Sequence, residues 1–123
     1  MPRIVHFEMP VDDPERAAAF YQAVLGWKIE KWEGPQDYWL ITTGPESEPG
    51  INGAFARRSD GLQVTQNTVD VTSLDEVLKK AVDNGGTVVF PKTPVPGVGY
   101  LAYCKDTEGN IIGMMESDEA AGL

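Results

Sequence analysis

Within the first 26 residues, the spacing of the apolar side chains changes from every second residue, in residues 3–9, to every third or fourth residue, in the segment that ends at Gly26. Apolar residues at positions 5, 7 and 9 alternate with His6 and Glu8, which is typical of a β-strand with two different faces. Asp12–Pro14 predicts a helix start, because aspartate caps a helix and proline fits its first turn. Apolar side chains then recur every three or four residues up to Gly26, where the helix is predicted to end.

The same order of elements is predicted twice along the chain. Three short apolar segments bounded by glycine and proline follow the first helix, and a strand, a capped helix and three further strands follow them. The pattern predicts an α+β fold with one domain over residues 1–123. Within it we expect two βαβββ modules, at about 1–58 and about 62–117, that form a curved mixed sheet with a cleft.

An offset of 60 residues relates the two predicted modules. It places His6 on Gln66 and Gly53 on Gly113, and it aligns the two helices without a gap. Asn52 and Gly53 have two interpretations. They could form a tight hairpin turn, or they could lie inside a strand, as the repeat favours.

Each predicted helix covers one face of its module, so that the opposite faces are expected to line the cleft. The expected ligand contacts are His6, Glu8, Trp39 and Phe55 from the first module, and Gln66, Thr68 and Met115 from the second. A lining of mixed apolar and polar groups is typical of small-molecule sites.

Composition narrows the classes of partner. The net charge of −9 disfavours nucleic acids and anionic membrane surfaces. A single cysteine excludes an internal disulfide, which suits a reducing compartment. No apolar run has the length of a signal peptide or a membrane helix. We therefore expect a cytoplasmic protein with a small-molecule ligand and no nucleic-acid or membrane partner.

Three segments of the chain carry a family resemblance. They are His6 on the first strand, DDPERAAAFYQAVLGWKI at 12–29, and PGVGYLAYCKDTEGNIIGMMES at 96–117. With these segments the chain resembles the vicinal oxygen chelate superfamily, which includes glyoxalase I, the bleomycin- and fosfomycin-resistance proteins and the extradiol dioxygenases. The resemblance covers essentially the whole chain and implies paired βαβββ modules, with a homodimer by analogy. It specifies no particular reaction.

The resemblance also implies a divalent metal held by the first, fourth, fifth and eighth strands. Those positions are His6, Gly53, Gln66 and Gly113 in this chain. Since glycine has no donor atom in a side chain, we expect either no cofactor or at most a weakly held divalent metal on His6 and Gln66, with Glu8 nearby. Glyoxalase chemistry depends on a carboxylate where Gly113 stands. One histidine cannot build the two-histidine iron site of extradiol dioxygenases.

The favoured hypothesis is a glyoxalase- or bleomycin-resistance-like protein that binds a small organic molecule at a degenerate metal site. The alternative is a divalent-metal-dependent lyase or isomerase that uses His6, Gln66 and Glu8. A structural module with its cleft filled by its own side chains is a third interpretation. The sequence leaves open whether the protein is an enzyme.

Overall fold

The computed structural model describes residues 2–34 and 36–122 and shows the predicted order of elements. The pattern β-α-β-β-β occurs twice in the described residues, so the α+β fold with two βαβββ modules is confirmed. The first module consists of β1 (Ile4–Val11), α1 (Pro14–Leu25), β2 (Lys28–Lys31), β3 (Trp39–Thr42) and β4 (Asn52–Arg57). After a 3₁₀ turn (Arg58–Asp60), the second consists of β5 (Gln66–Asp70), α2 (Leu74–Asp83), β6 (Thr87–Val95), β7 (Gly99–Lys105) and β8 (Ile111–Ser117).

The chain divides into two compact units that nearly follow the modules. The first unit is His6–Gln66, and the second combines Met1–Val5 with Asn67–Leu123. The division falls within β1, because the start of this strand belongs to the second unit. Just before this strand, the carbonyl of Arg3 accepts a hydrogen bond from the backbone N–H of Asp70 at 3.1 Å.

The first unit packs α1 against a sheet with strand order β2-β3-β4-β1. β1 and β4 run parallel, and the other neighbours run antiparallel. Asp13 begins the helix by accepting from the N–H of Arg16, and Gly26 ends it in a left-handed conformation at φ 71°. The helix side of the sheet holds a buried core, which consists of Val11, Ile41 and Phe55 with Phe7, Met9, Tyr21 and Trp27 packed against them.

The second unit repeats this arrangement with strand order β5-β8-β7-β6 and a parallel β5–β8 pair. Ser73 caps α2, and a carboxylate oxygen of Glu116 also accepts from the N–H of Leu74 at 2.8 Å. Glu116 therefore lies on the helix side of β8. The core on this side consists of Val71, Leu74 and Ala102, with Val69, Val77, Leu78, Tyr100 and Met114 packed against it.

The 60-residue offset holds for the first strand and the start of the helix but not beyond. In the parallel strand pairs, Glu8 lies opposite Ala54, and Thr68 lies opposite Gly113. Gly113 therefore corresponds to Ala54, at an offset of 59, and the predicted match of Gly53 with Gly113 is wrong. The physical reason is that α2 is two residues shorter than α1, whereas the connection from α2 to β6 is one residue longer than that from α1 to β2, which leaves a net shift of one residue. Gly53 does lie inside a strand, so the hairpin-turn interpretation is excluded.

None of the described helices is both long enough and apolar enough to cross a membrane.

Candidate functional site

Each unit presents one sheet face opposite its helix, which we call the helix-free face. In the first unit, Phe7 and Met9 point to α1, so His6 and Glu8 lie on the helix-free face. The strand register places Ala54 on the same face, opposite Glu8. This face is therefore the place where the polar side chains of β1 are available for chemistry.

His6 forms a hydrogen bond that the sequence did not predict. Its Nε2 lies 2.8 Å from the hydroxyl oxygen of Tyr38, and the two rings stack with centroids 6.4 Å apart. Burial lowers the pKa of His6, so the imidazole is neutral near pH 7. One sequence signal could have indicated Tyr38: it lies one residue before Trp39, so it shares the strand phase of Leu40 rather than that of the core residue Ile41.

Among the described residues of the first unit, Glu8 and Gln66 are buried polar side chains. Glu8 is 7% exposed and Gln66 is 4% exposed. Within the part of the chain that the structure describes, the Nε2 of Gln66 has no hydrogen-bond partner. A buried amide without a partner is uncommon, because desolvation of the donor is unfavourable. Gln66 therefore has a donor available for a water molecule or a ligand.

Trp39 and Phe55 do not share the helix-free face with His6. Phe55 is completely buried, and its ring centroid lies 5.8 Å from that of Tyr21 on the helix side. Trp39 pairs with Phe55 and packs against the same core. The prediction that both line the face of His6 is wrong. In β4 small apolar residues occupy both phases, so the alternation alone left the phase of Phe55 open.

The helix-free face of the second unit holds the remaining predicted contacts. Thr68, Gly113 and Met115 lie on it, because Val69 and Met114 pack on the helix side. Thr68 is 4% exposed, and its hydroxyl has no hydrogen-bond partner among the described residues. A side chain at position 113 would begin 2.8 Å from this hydroxyl oxygen. The Thr68 hydroxyl and the Tyr103 ring therefore already lie against the position that a side chain at residue 113 would occupy.

The donor atoms of the chain do not fit the four-ligand metal centre that the family resemblance implies. The Nε2 of His6 is hydrogen-bonded to the hydroxyl of Tyr38. A side chain at Gly53 would begin 2.5 Å from the carbonyl oxygen of Phe7, beside the Phe7 ring on the helix side. No three His, Cys, Asp or Glu residues within 2–34 and 36–122 come together in a way that could hold a metal ion. Glu116 offers no substitute, because its carboxylate caps α2.

A separate depression of about 460 Å³ lies in the loop between β3 and β4. Its lining consists of Thr43, Gly44, Pro45, Glu46, Glu48, Pro49, Gly50 and Asn52. None of the predicted contact residues lines it, although Asn52 lies opposite His6 in the register of β1 and β4.

Known proteins share both sequence and fold with this chain. A family model described as "Bleomycin resistance protein-like N-terminal" matches residues 3–44. The lactoylglutathione lyase of Escherichia coli O157:H7 is 27% identical over an alignment of 128 positions, which covers 96% of this chain and 95% of that protein. Methylmalonyl-CoA epimerase from Mycobacterium tuberculosis superposes with a TM-score of 0.68 at 14% identity, over 94% of this chain and 87% of its own.

A Streptomyces coelicolor methylmalonyl-CoA epimerase, solved in complex with 2-nitronate-propionyl-CoA, gives a TM-score of 0.66 at 14% identity. The aligned region covers 94% of this chain and 96% of the epimerase. At these identities the solved structures show the fold alone, which is that of proteins built from two βαβββ modules. This chain is therefore similar in sequence to a bleomycin-resistance-like family and to lactoylglutathione lyase, and it shares the fold of methylmalonyl-CoA epimerases; these likenesses support the resemblance to the vicinal oxygen chelate superfamily.

Proposed function

We propose that this protein binds a small organic molecule on the helix-free face around His6 and that binding needs no metal ion. One observation carries the proposal. A neutral imidazole, hydrogen-bonded to Tyr38, lies two residues from the buried Glu8 on a sheet face opposite the helix. A few polar groups held in a mainly apolar surrounding are the usual composition of a small-molecule site.

The charges of this face favour a neutral or cationic ligand. The face combines the carboxyl group of Glu8, a neutral imidazole and a phenol hydroxyl, and the whole chain carries a net charge of −9. An anionic ligand would be repelled by this field, whereas a hydrogen-bond donor or a positive charge would be stabilised. Gln66 of the first unit, and Thr68 and Met115 of the second, remain proposed ligand contacts, each on the helix-free face of its own unit. The Nε2 of Gln66 and the hydroxyl of Thr68 have no hydrogen-bond partner among the described residues, which supports their assignment.

A binding screen in the presence and absence of a chelator tests the proposal. We expect a neutral or cationic organic compound to raise the melting temperature equally with and without EDTA. His6→Asn and Glu8→Gln should each weaken its binding about tenfold in calorimetry, the effect of one lost hydrogen bond to a charged or buried group. Glu46→Gln, on the exposed β3–β4 loop, is the matched control and should leave affinity unchanged. The proposal would be contradicted if the purified protein held a tightly bound metal ion in stoichiometric amount, or if EDTA abolished binding of the organic compound.

The second candidate is a divalent-metal-dependent lyase or isomerase. The likeness to lactoylglutathione lyase over nearly the full length of both chains supports it. This candidate requires turnover that depends on a divalent metal. His6→Ala should then abolish both the turnover and the uptake of metal. The donor set described above disfavours this candidate, since His6 and Gln66 are the remaining side chains at the family's ligand positions.

We also propose a cytoplasmic location and a homodimer. The chain has a single cysteine, the buried Cys104, and so no internal disulfide, which is typical of proteins in a reducing compartment. Phe20, Val24 and Leu25 on α1 are each more than half exposed, and large exposed apolar side chains often mark contact surfaces. Sedimentation equilibrium measures the assembly directly, and a mass of 13.4 kDa at all concentrations would exclude the dimer.

A further inference from the structure

The segment between β2 and β3 holds Tyr38 in place. The backbone N–H of Trp32 donates to the carbonyl of Tyr38 at 2.7 Å. The indole of Trp32 also meets the Tyr38 ring edge-on, with centroids 6.1 Å apart. Gly34 lies against that indole so closely that any side chain there would collide with it. Glycine at 34 therefore lets the indole occupy the position from which it supports Tyr38.

Tyr38 in turn contacts His6 in two ways. The hydroxyl makes the 2.8 Å hydrogen bond to Nε2, and the tyrosine and imidazole planes are inclined by only 24°. A phenol hydroxyl can donate or accept, but it is a stronger acid than the N–H of a neutral imidazole, so we expect the Tyr38 hydroxyl to donate to Nε2. The proton of the neutral ring then lies on Nδ1. The bonded nitrogen is also one of the two atoms through which histidine binds metals.

We propose that Tyr38 is the positioning residue of His6. Its hydroxyl takes the place of a metal ion at Nε2 and fixes the imidazole in one tautomer, so that a ligand meets His6 as a hydrogen-bonding group of defined polarity. The β2–β3 segment, through Trp32 and Tyr38, is then the part of the chain that sets what His6 recognises. This inference deepens the proposed function and rests on it for the ligand, but the tautomer of His6 does not depend on any ligand.

The test uses nitrogen-15 NMR on the intact chain. Because His6 is the only histidine, its ring nitrogens give the only imidazole signals. We expect one neutral tautomer in the wild-type protein and a mixture of both tautomers in Tyr38→Phe. Tyr100→Phe, which changes a tyrosine on the helix side of the second unit, is the control and should keep the wild-type pattern. An unchanged pattern in Tyr38→Phe would overturn the inference.

Gly34→Ala provides an independent test with the same measurement, the tautomer of His6. It displaces the indole of Trp32 without touching His6 or the hydroxyl of Tyr38, and it should also loosen the tautomer preference. If Tyr38→Phe failed to fold, retention of a single tautomer in folded Gly34→Ala would count against the proposal.

A titration with Zn²⁺ alone tests the exclusion of metal. One equivalent of Zn²⁺ should leave the imidazole signals of the wild-type protein in place, and a stoichiometric shift would overturn the inference. Tyr38→Phe should also bind the compound found in the binding screen about fivefold more weakly, the effect of one misdirected hydrogen bond. A fixed tautomer in a protein that binds none of the compounds would defeat the proposed function and leave this inference intact.

Discussion

The first strands of the two modules occupy equivalent places and have different chemistry. On β1, His6 has its partner within the first unit, the hydroxyl of Tyr38. On β5, the amide nitrogen of Gln66 and the hydroxyl of Thr68 are buried and have no partner among the described residues. The difference indicates that β1 provides a preorganised group, whereas β5 provides polar atoms whose hydrogen bonds must come from water or a ligand.

The helix side offers the comparison with the largest expected effect. Phe55 is completely buried and Met115 is partly exposed, although the sequence predicted the same role for both. Phe55→Ala should reduce the free energy of unfolding by about 3–5 kcal/mol, because it opens a cavity beside Tyr21. Met115→Ala should reduce it by less than about 2 kcal/mol, since less apolar area is lost. Urea unfolding measures both, and equal losses would contradict the assignment of opposite faces.

The two glycines on the fourth strands give the next comparison. A Cβ at position 53 meets the backbone oxygen of Phe7 at 2.5 Å, whereas one at position 113 first meets the side-chain oxygen of Thr68 at 2.8 Å. Backbone cannot move aside as a hydroxyl can. Gly53→Ala should therefore destabilise the protein by about 1–3 kcal/mol, and Gly113→Ala by less than about 1 kcal/mol. A larger loss for Gly113→Ala would show that the modules do not differ in this way.

Sequence reasoning found the fold because both modules carry strong periodic signals. The alternation in β1, the Asp13 and Ser73 caps and the Gly26 stop each follow from local physical chemistry. It placed Phe55 wrongly because in β4 both phases of the strand are small or apolar, and register depends on the partner strand. Tyr38 was missed because its role arises from a contact 32 residues away in sequence.

Two threonines with different partners provide a smaller and sharper test. The hydroxyl of Thr43 in the first unit donates to the carbonyl of Ile51 at 2.7 Å, whereas that of Thr68 has no partner in the described residues. Valine has nearly the same shape as threonine. Thr43→Val should cost about 1 kcal/mol of unfolding free energy, and Thr68→Val should be neutral or slightly stabilising. A loss above about 2 kcal/mol for Thr68→Val would reveal a bound water that the hydroxyl holds.

The loops that join the last two strands of each module differ in their response to pH. In the second unit, an Asp106 carboxylate oxygen accepts from the N–H groups of Asn110 and Glu108, and these bonds lower the pKa of Asp106. In the first unit, the β3–β4 loop is held by bonds of Thr43 that do not titrate. The stabilisation from Asp106 is therefore complete above the unfolded-state pKa of about 3.9 and is lost as the pH falls through the lower folded-state value.

Asp106→Asn should accordingly flatten the acid limb of a plot of unfolding free energy against pH. The control is Glu108→Gln, which keeps the backbone N–H that Asp106 accepts and removes only a carboxylate bonded to the Thr107 hydroxyl. It should keep most of the wild-type slope below about pH 4. Should the slope persist in Asp106→Asn and vanish in Glu108→Gln, the acid sensitivity would belong to a different carboxylate, and the contrast between the two loops would no longer hold.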